Sequence, residues 1–267
     1  PILCEPVMSN HPRGFLLDGR SRLSLASDVP LHHYSMVSSH AEFCVVPQAG
    51  AIAVPAEIPF DRACVIGCAV MTGYGAATRV APVGAGASVV VAGCGAVGLN
   101  VIQGAVARNA SRIIGIDPEP ARRAQALAFG ATDVIDAARG DAVAAVREMT
   151  HGRGADFAFE AAGHEDALRL ALEAARPGGD VVILGKIGVD RELRLRFGAL
   201  MGEKRIVRSS YGGARPQADF PALAGLYLAG KLMLDALITR RIGLDDINAG
   251  FASMRDRATL RTVVVFD

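Results

Sequence analysis

The 267 residues carry a formal charge of +1 and are 51% hydrophobic, enough for a sizeable core in one large domain or two small ones. With no Trp, 5% aromatics and no basic excess, the chain lacks the charge and stacking surfaces that nucleic-acid binding uses, and no apolar segment reaches the ~18 uninterrupted residues of a membrane span. Its five cysteines, Cys4, Cys44, Cys64, Cys68 and Cys94, have no disulfide-framework spacing, so a reducing, cytoplasmic setting without disulfides is expected.

Residues 1–59 are rich in Pro, Ser and His and poor in helical periodicity, and only 42–47 reads as a good strand. An irregular, β-rich piece is expected there. His32 and His33 invite a metal reading, but neighbours on a strand point to opposite faces and cannot readily share one ion. His11, His40, His151 and His164 read as surface or capping residues. The chain starts at Pro1 without an initiator Met or a secretion signal, and is expected to be a fragment.

Residues 63–78, ACVIGCAVMTGYGAAT, are small and apolar, with a helical face through Val65, Cys68 and Thr72. The stretch 88–117 follows. Val89, Val90 and Val91 form the β-branched run of a strand buried on both faces, and Gly93, Gly95 and Gly98 follow at once in the spacing G-x-G-x-x-G. In that spacing the first glycine permits the tight turn. The second lets the backbone approach a pyrophosphate, and the third lets helix pack on strand. A helix over 96–108 is expected to stop at Asn109, and a strand over 112–116 to end at Asp117. Asp117 lies 24 residues after Gly93, close to the ~20 at which a carboxylate meets the adenosine ribose, and it disfavours a 2′-phosphate. The unit therefore predicts a site for NAD.

A βα rhythm continues through a helix over 118–129 stopped by Gly130, a strand at 132–135, a helix over 141–149 and a strand at 157–160. A helix over 165–175, the turn RPGGD and strands at 181–184 and 205–209 complete it. The fold class is α/β, with a doubly wound parallel sheet. Beyond Gly212 the pattern predicts helices over 219–229 and 245–255 and a closing strand over 260–266, with no βαβ rhythm. From spacing alone Arg122 and Arg261 are ordinary surface arginines, and Cys44, Cys64, Cys68 and Cys94 small apolar filler.

The stretches GCAVMTGYGAA, GCGAVGLNVIQGA, RIIGIDPEPAR, DFAFEAAG and LRTVVVF, in this order, resemble the zinc-type medium-chain alcohol dehydrogenases through nearly the whole chain. The resemblance implies a Rossmann domain over 70–212 inserted in a partial GroES-like β-rich catalytic domain of 1–69 plus 213–267. It implies oxidation of alcohols or reduction of aldehydes with NAD and zinc, by a homodimer or homotetramer. Cys68 takes the third catalytic-zinc ligand position. Thr72 and Val97 lie against the nicotinamide, Asp117 and Arg122 meet the adenosine ribose, and Arg261 contacts the pyrophosphate. The resemblance places the His32–Tyr34 loop near the substrate cleft, and Lys186 where the chain passes the nicotinamide, an unexplained cation there. The segments carrying the first Cys ligand, the His ligand and the proton-relay hydroxyl would precede Pro1, and of the structural zinc lobe only Cys4 matches. The metal ligand set is thus incomplete, and these residues are expected to bind NAD without zinc-dependent turnover.

Overall fold

The computed structural model describes residues 5–254 and 259–266. Cys4, Arg255 and the side chain of His11 lie outside that description. Before the long helix the strands are β1 (Leu23–Ser24) and β2 (Pro30–Leu31), a short antiparallel pair. The strand expected at 42–47 does not form: these residues are unpaired and exposed. A strand is made by its neighbour's hydrogen bonds, and among the described residues no strand pairs with this run. The β-rich character expected of 1–59 is confined to β1 and β2.

Six parallel strands form the central sheet: β3 (Ser88–Ala92), β4 (Arg112–Asp117), β5 (Asp133–Asp136), β6 (Ala155–Glu160), β7 (Ala175–Ile183) and β8 (Arg205–Arg208). Their order is β5-β4-β3-β6-β7-β8, so the winding reverses between β3 and β6. Alternation along β3 splits its side chains between two layers. Val89 and Val91 join Leu99 and Ile102 of the helix Ala96–Ala107. Val90 joins Val146, Leu168 and Leu172 of the helices Ala142–Met149 and Glu165–Ala174. Each such aliphatic side chain contributes about 1.5–3 kcal/mol through burial.

Local chemistry explains most boundaries. Asn109 takes φ +58° just past the end of the helix Ala96–Ala107, the left-handed stop expected of it. Asp141 caps the helix Ala142–Met149, its carboxylate accepting from the amides of Val143 and Ala144, and the His164 ring caps Glu165–Ala174 by accepting from the Asp166 amide. The helix expected from 118 begins at Pro120. Pro118 is left outside because Asp117 turns back to accept from the Glu119 amide. RPGGD is not a simple turn: β7 runs through it, and pairing jumps from Ala155↔Ala175 to Phe157↔Asp180 across a bulge where Gly178 has φ +68°.

The C-terminal part departs from expectation. Ile238–Ile242 forms β9, which pairs in parallel with β10 (Arg261–Val264), and the helix Ile247–Ser253 lies between them in sequence. This is a βαβ unit where none was expected. The sequence ITRRI conceals β9 because Thr239, Arg240 and Arg241 stand exposed between two buried isoleucines. The helix expected from 245 starts at Ile247 after a 3₁₀ turn, Leu244–Asp246. The helix over 219–229 is extended by one turn to Pro216–Leu228.

The helix Phe60–Val80 is long and apolar enough by length and composition to cross a membrane, yet half of it is buried within the protein. Val70, Met71, Ala76 and Ala77 lie in the core, packed with Leu99, Val101 and Ile102. π-helical turns occur at Ile66–Val70, which contains Cys68, and at Ala76–Val80.

Candidate functional site

The three glycines after β3 do different jobs. Gly93 has φ +97°, and a Cβ there would meet the Ala162 nitrogen at 2.8 Å. At Gly98 a Cβ would run into the Gly93 carbonyl oxygen, so the third glycine sets how closely helix approaches turn. Gly95 differs: a Cβ there would meet nothing within 4 Å and would project into a cleft that Gly95 itself lines. No side chain caps the helix that Gly95 starts, so its first amides face outward with the positive end of the helix dipole. A phosphate fits that cradle.

The cleft measures about 580 Å³, within the usual range for small-molecule and cofactor sites, and runs over the carboxyl ends of β4, β3 and β6 past Gly93, Gly95, Asp117, Arg122, Ala161 and Ala162. It lies where the winding reverses. Asp117 is nearly buried at its edge, with Oδ2 accepting from the Cys94 amide and Oδ1 from the Glu119 amide, both at 2.9 Å. A carboxylate has about four acceptor positions, so two remain for hydroxyl donors. The same carboxylate, after burial, helps push the Cys94 thiol up to about 12. Cys94 is buried filler under the turn, as its sequence position suggests.

Arg122 also lines the cleft, and one of its guanidinium nitrogens donates to the Thr259 carbonyl at 2.8 Å. Burial lowers its pKa; Asp117 opposes that effect and the nearby Arg261 guanidinium adds to it. The structure thus brings Arg261, remote in sequence, into one electrostatic group with Asp117 and Arg122. Gly73, the residue after Thr72, packs on the helix that carries Val97: an added Cβ there would strike the Val97 carbonyl oxygen. Gly212, with φ +64°, packs on the Met71 and Thr72 carbonyls and fixes the loop Tyr211–Gly213 against this helix.

Cys68 lies one helical turn before Thr72 and is exposed. The neighbouring Tyr211 hydroxyl donates to the Gly67 carbonyl, and burial, followed by the proximity of the Cys68 sulfur, pushes its pKa up to about 12. Cys64, a turn earlier, donates to the Asp61 carbonyl, and burial and Asp61 raise its pKa. Among the described residues no three His, Cys, Asp or Glu side chains converge as metal ligands. One thiolate does not meet the three protein ligands of a catalytic zinc, so the described residues do not complete a zinc site. The His32–His33 pair does not supply the rest. The His32 ring stacks on Phe15 with Nδ1 2.7 Å from the Arg13 carbonyl, while buried His33 accepts from the Arg22 amide and meets the Ser38 hydroxyl.

Lys186 is exposed, and its backbone abuts Gly163. Sequence reasoning passed over Glu160, which is fully buried and ends β6 as Asp117 ends β4. Its signal was present in DFAFE, an apolar strand closed by an acid in the same form as RIIGID.

The model of the zinc-binding dehydrogenase family matches residues 96–229. The alcohol dehydrogenase class-3 of Cereibacter sphaeroides is 36% identical over 99% of this chain and 72% of its own length. The S-(hydroxymethyl)glutathione dehydrogenase of Paracoccus denitrificans is 34% identical with the same coverage. Among solved structures, an alcohol dehydrogenase zinc-binding domain protein from Burkholderia ambifaria superimposes with a TM-score of 0.92 at 30% identity, over all of this chain and 72% of its own.

Proposed function

Since the chain belongs to the zinc-binding dehydrogenases, we propose that its cleft holds NAD across the ends of β4, β3 and β6, with the adenosine ribose at Asp117 and the pyrophosphate on Gly95. The enzyme is an NAD-dependent oxidoreductase of the alcohol dehydrogenase type, acting on small alcohols or aldehydes. NAD, when bound, takes the hydride from the alcohol carbon or returns it to the aldehyde. The chain's own residues bind and orient. The amides at the start of the helix Ala96–Ala107 receive phosphate oxygens, and the two open acceptor positions of Asp117 receive ribose hydroxyls. Arg122 and Arg261 supply positive charge beside them, and Thr72 and Val97 border the nicotinamide.

Cys68 is assigned the metal-ligand position by likeness to the family, which uses NAD and zinc. Its isolation among the described residues favours a second reading, a chain that binds NAD without turning over alcohol. NAD reduction with a panel of alcohols separates the two. The division into 70–212 for the cofactor and 1–69 plus 213–267 for the catalytic part is supported by the run of βα units between those limits. Free cysteines among the described residues support a cytoplasmic setting.

The observation that carries the cofactor assignment is Asp117 at the cleft edge, a carboxylate with two amides on its oxygens. A 2′-phosphate there is disfavoured by at least ~1 kcal/mol through like-charge repulsion. Fluorescence titration is expected to show NADH bound more tightly than NADPH by about five-fold or more, and Asp117→Ala to narrow the gap. Equal affinities in the wild type would remove Asp117 from this role.

We also propose a homodimer built on the sheet edge. Among the described residues β8 pairs only with β7, and Ile206 on it and Phe197 and Met201 just before it are exposed. An apolar edge strand needs a cover, and a two-fold axis supplies one from a second copy. Sedimentation at micromolar concentration is expected to give twice the chain mass; a monomer there contradicts the proposal.

A further inference from the structure

We propose that Glu160 is a positioning residue for the nicotinamide half of the cofactor, acting through the 161–163 loop. The proposal rests on reading the cleft as the NAD site. In a doubly wound sheet the two nucleotides lie over the two halves of the strand order. With Asp117 of β4 at the adenosine ribose and the glycine turn after β3 at the pyrophosphate, the second nucleotide lies over the ends of β6 and β7. Glu160 is the last residue of β6, and none of its surface is exposed.

Its carboxylate is held wholly by backbone. Oε1 accepts from the amides of Ala162 at 2.8 Å and Gly163 at 2.6 Å, and Oε2 accepts from the amide of Gly185 at 3.1 Å, just past the end of β7. No cation pairs with it among the described residues. A buried carboxylate is costly unless its hydrogen bonds are made, so three amides from two strand ends account for its tolerance here. These bonds hold the loop against the end of β7 and fix the stretch from which Ala161 and Ala162 line the cleft.

The loop is wedged on both sides. The Ala162 nitrogen lies 2.8 Å from where a Cβ of Gly93 would be, so the loop backs directly onto the phosphate-binding turn. Gly163 has φ +70°, and a Cβ there would meet the Lys186 carbonyl at 2.9 Å. A glutamine at 160 could still accept from Ala162 and Gly163. Its amide nitrogen would then point a donor at the Gly185 donor, so the side-chain bond to Gly185 would be lost while the backbone pairing of β6 with β7 remains.

The test measures binding of NADH and of AMP, which contains only the adenosine half, to the purified wild type and Glu160→Gln. Glu160→Gln is expected to weaken NADH about ten-fold and to leave AMP within about two-fold. At saturating NADH the variant is also expected to lose part of the blue shift of bound-cofactor fluorescence. Unchanged NADH affinity in a wild type that binds it overturns the role of Glu160 and leaves the cleft assignment standing. A wild type that binds no NADH overturns both. Equal weakening of AMP and NADH shows a general packing role and overturns the proposal. Should Glu160→Gln not fold, Gly163→Ala displaces the same loop while keeping the Glu160 side chain itself: a loss selective for NADH supports the proposal, and an equal loss for AMP overturns it.

Discussion

In β3, Val89, Val90 and Val91 are buried between two layers of helices, while Phe43 and Val45, as well suited to a strand, stand 89% and 74% exposed. The two runs differ in what lies beside them. β3 has β4 on one side and β6 on the other, and its glycine turn locks onto the loop after β6. Residues 42–47 have no partner strand among the described residues and are exposed throughout. Propensity is local and a sheet is not, so the same apolar alternation makes a core strand in one place and unpaired chain in the other.

The sharpest way to break this contrast is to disturb the β3 turn. Gly98→Ala places a methyl against the Gly93 carbonyl oxygen, where backbone cannot give way cheaply. It is expected to cost about 3 kcal/mol in urea unfolding and to abolish NADH binding.

A smaller effect is expected where the sheet's other end is pinned. Asp156 of β6 accepts from the Ser88 amide and hydroxyl and from the Arg176 guanidinium. Burial works against its ionised form, but these donors hold its pKa down to about 2. Because that value lies below the ~3.9 of an unfolded aspartate, the stabilisation is complete above about pH 5 and disappears as pH falls toward 2. Asp156→Asn is expected to lose about 1–2 kcal/mol at pH 7. Melting temperatures of variant and wild type should then converge on acidification; a constant gap down to pH 2 contradicts the assignment.

The smallest effect belongs to the exposed run, where Phe43→Ser should change stability by no more than about 0.5 kcal/mol. A loss like that of Gly98→Ala would show that 42–47 is packed after all.

The cofactor half of the fold was legible because its signals are contiguous. Three valines, three glycines and one acid announce a strand, a turn, a helix start and a carboxylate at the cleft edge within 88–117, and Asn109 and Asp141 mark helix ends, one by its left-handed backbone and the other by its side chain. What stayed hidden depends on remote partners. β9 exists because β10 lies beside it, and its exposed Thr239, Arg240 and Arg241 conceal it. The bulge in β7 follows from the register with β6, which no local pattern in RPGGD reveals. Glu160 was overlooked because its partners are backbone amides, which sequence does not label. The approach of Arg122 to Arg261 came only from the resemblance, since spacing alone made both ordinary surface arginines.

The most direct measurement is amide hydrogen exchange with and without NADH. NADH is expected to slow exchange at 95–97, the uncapped amides to which we assign the pyrophosphate, and to leave 23–47 unchanged. Unaltered exchange at 95–97 under saturating NADH, or protection centred on 23–47, would contradict the placement of the cofactor over β3.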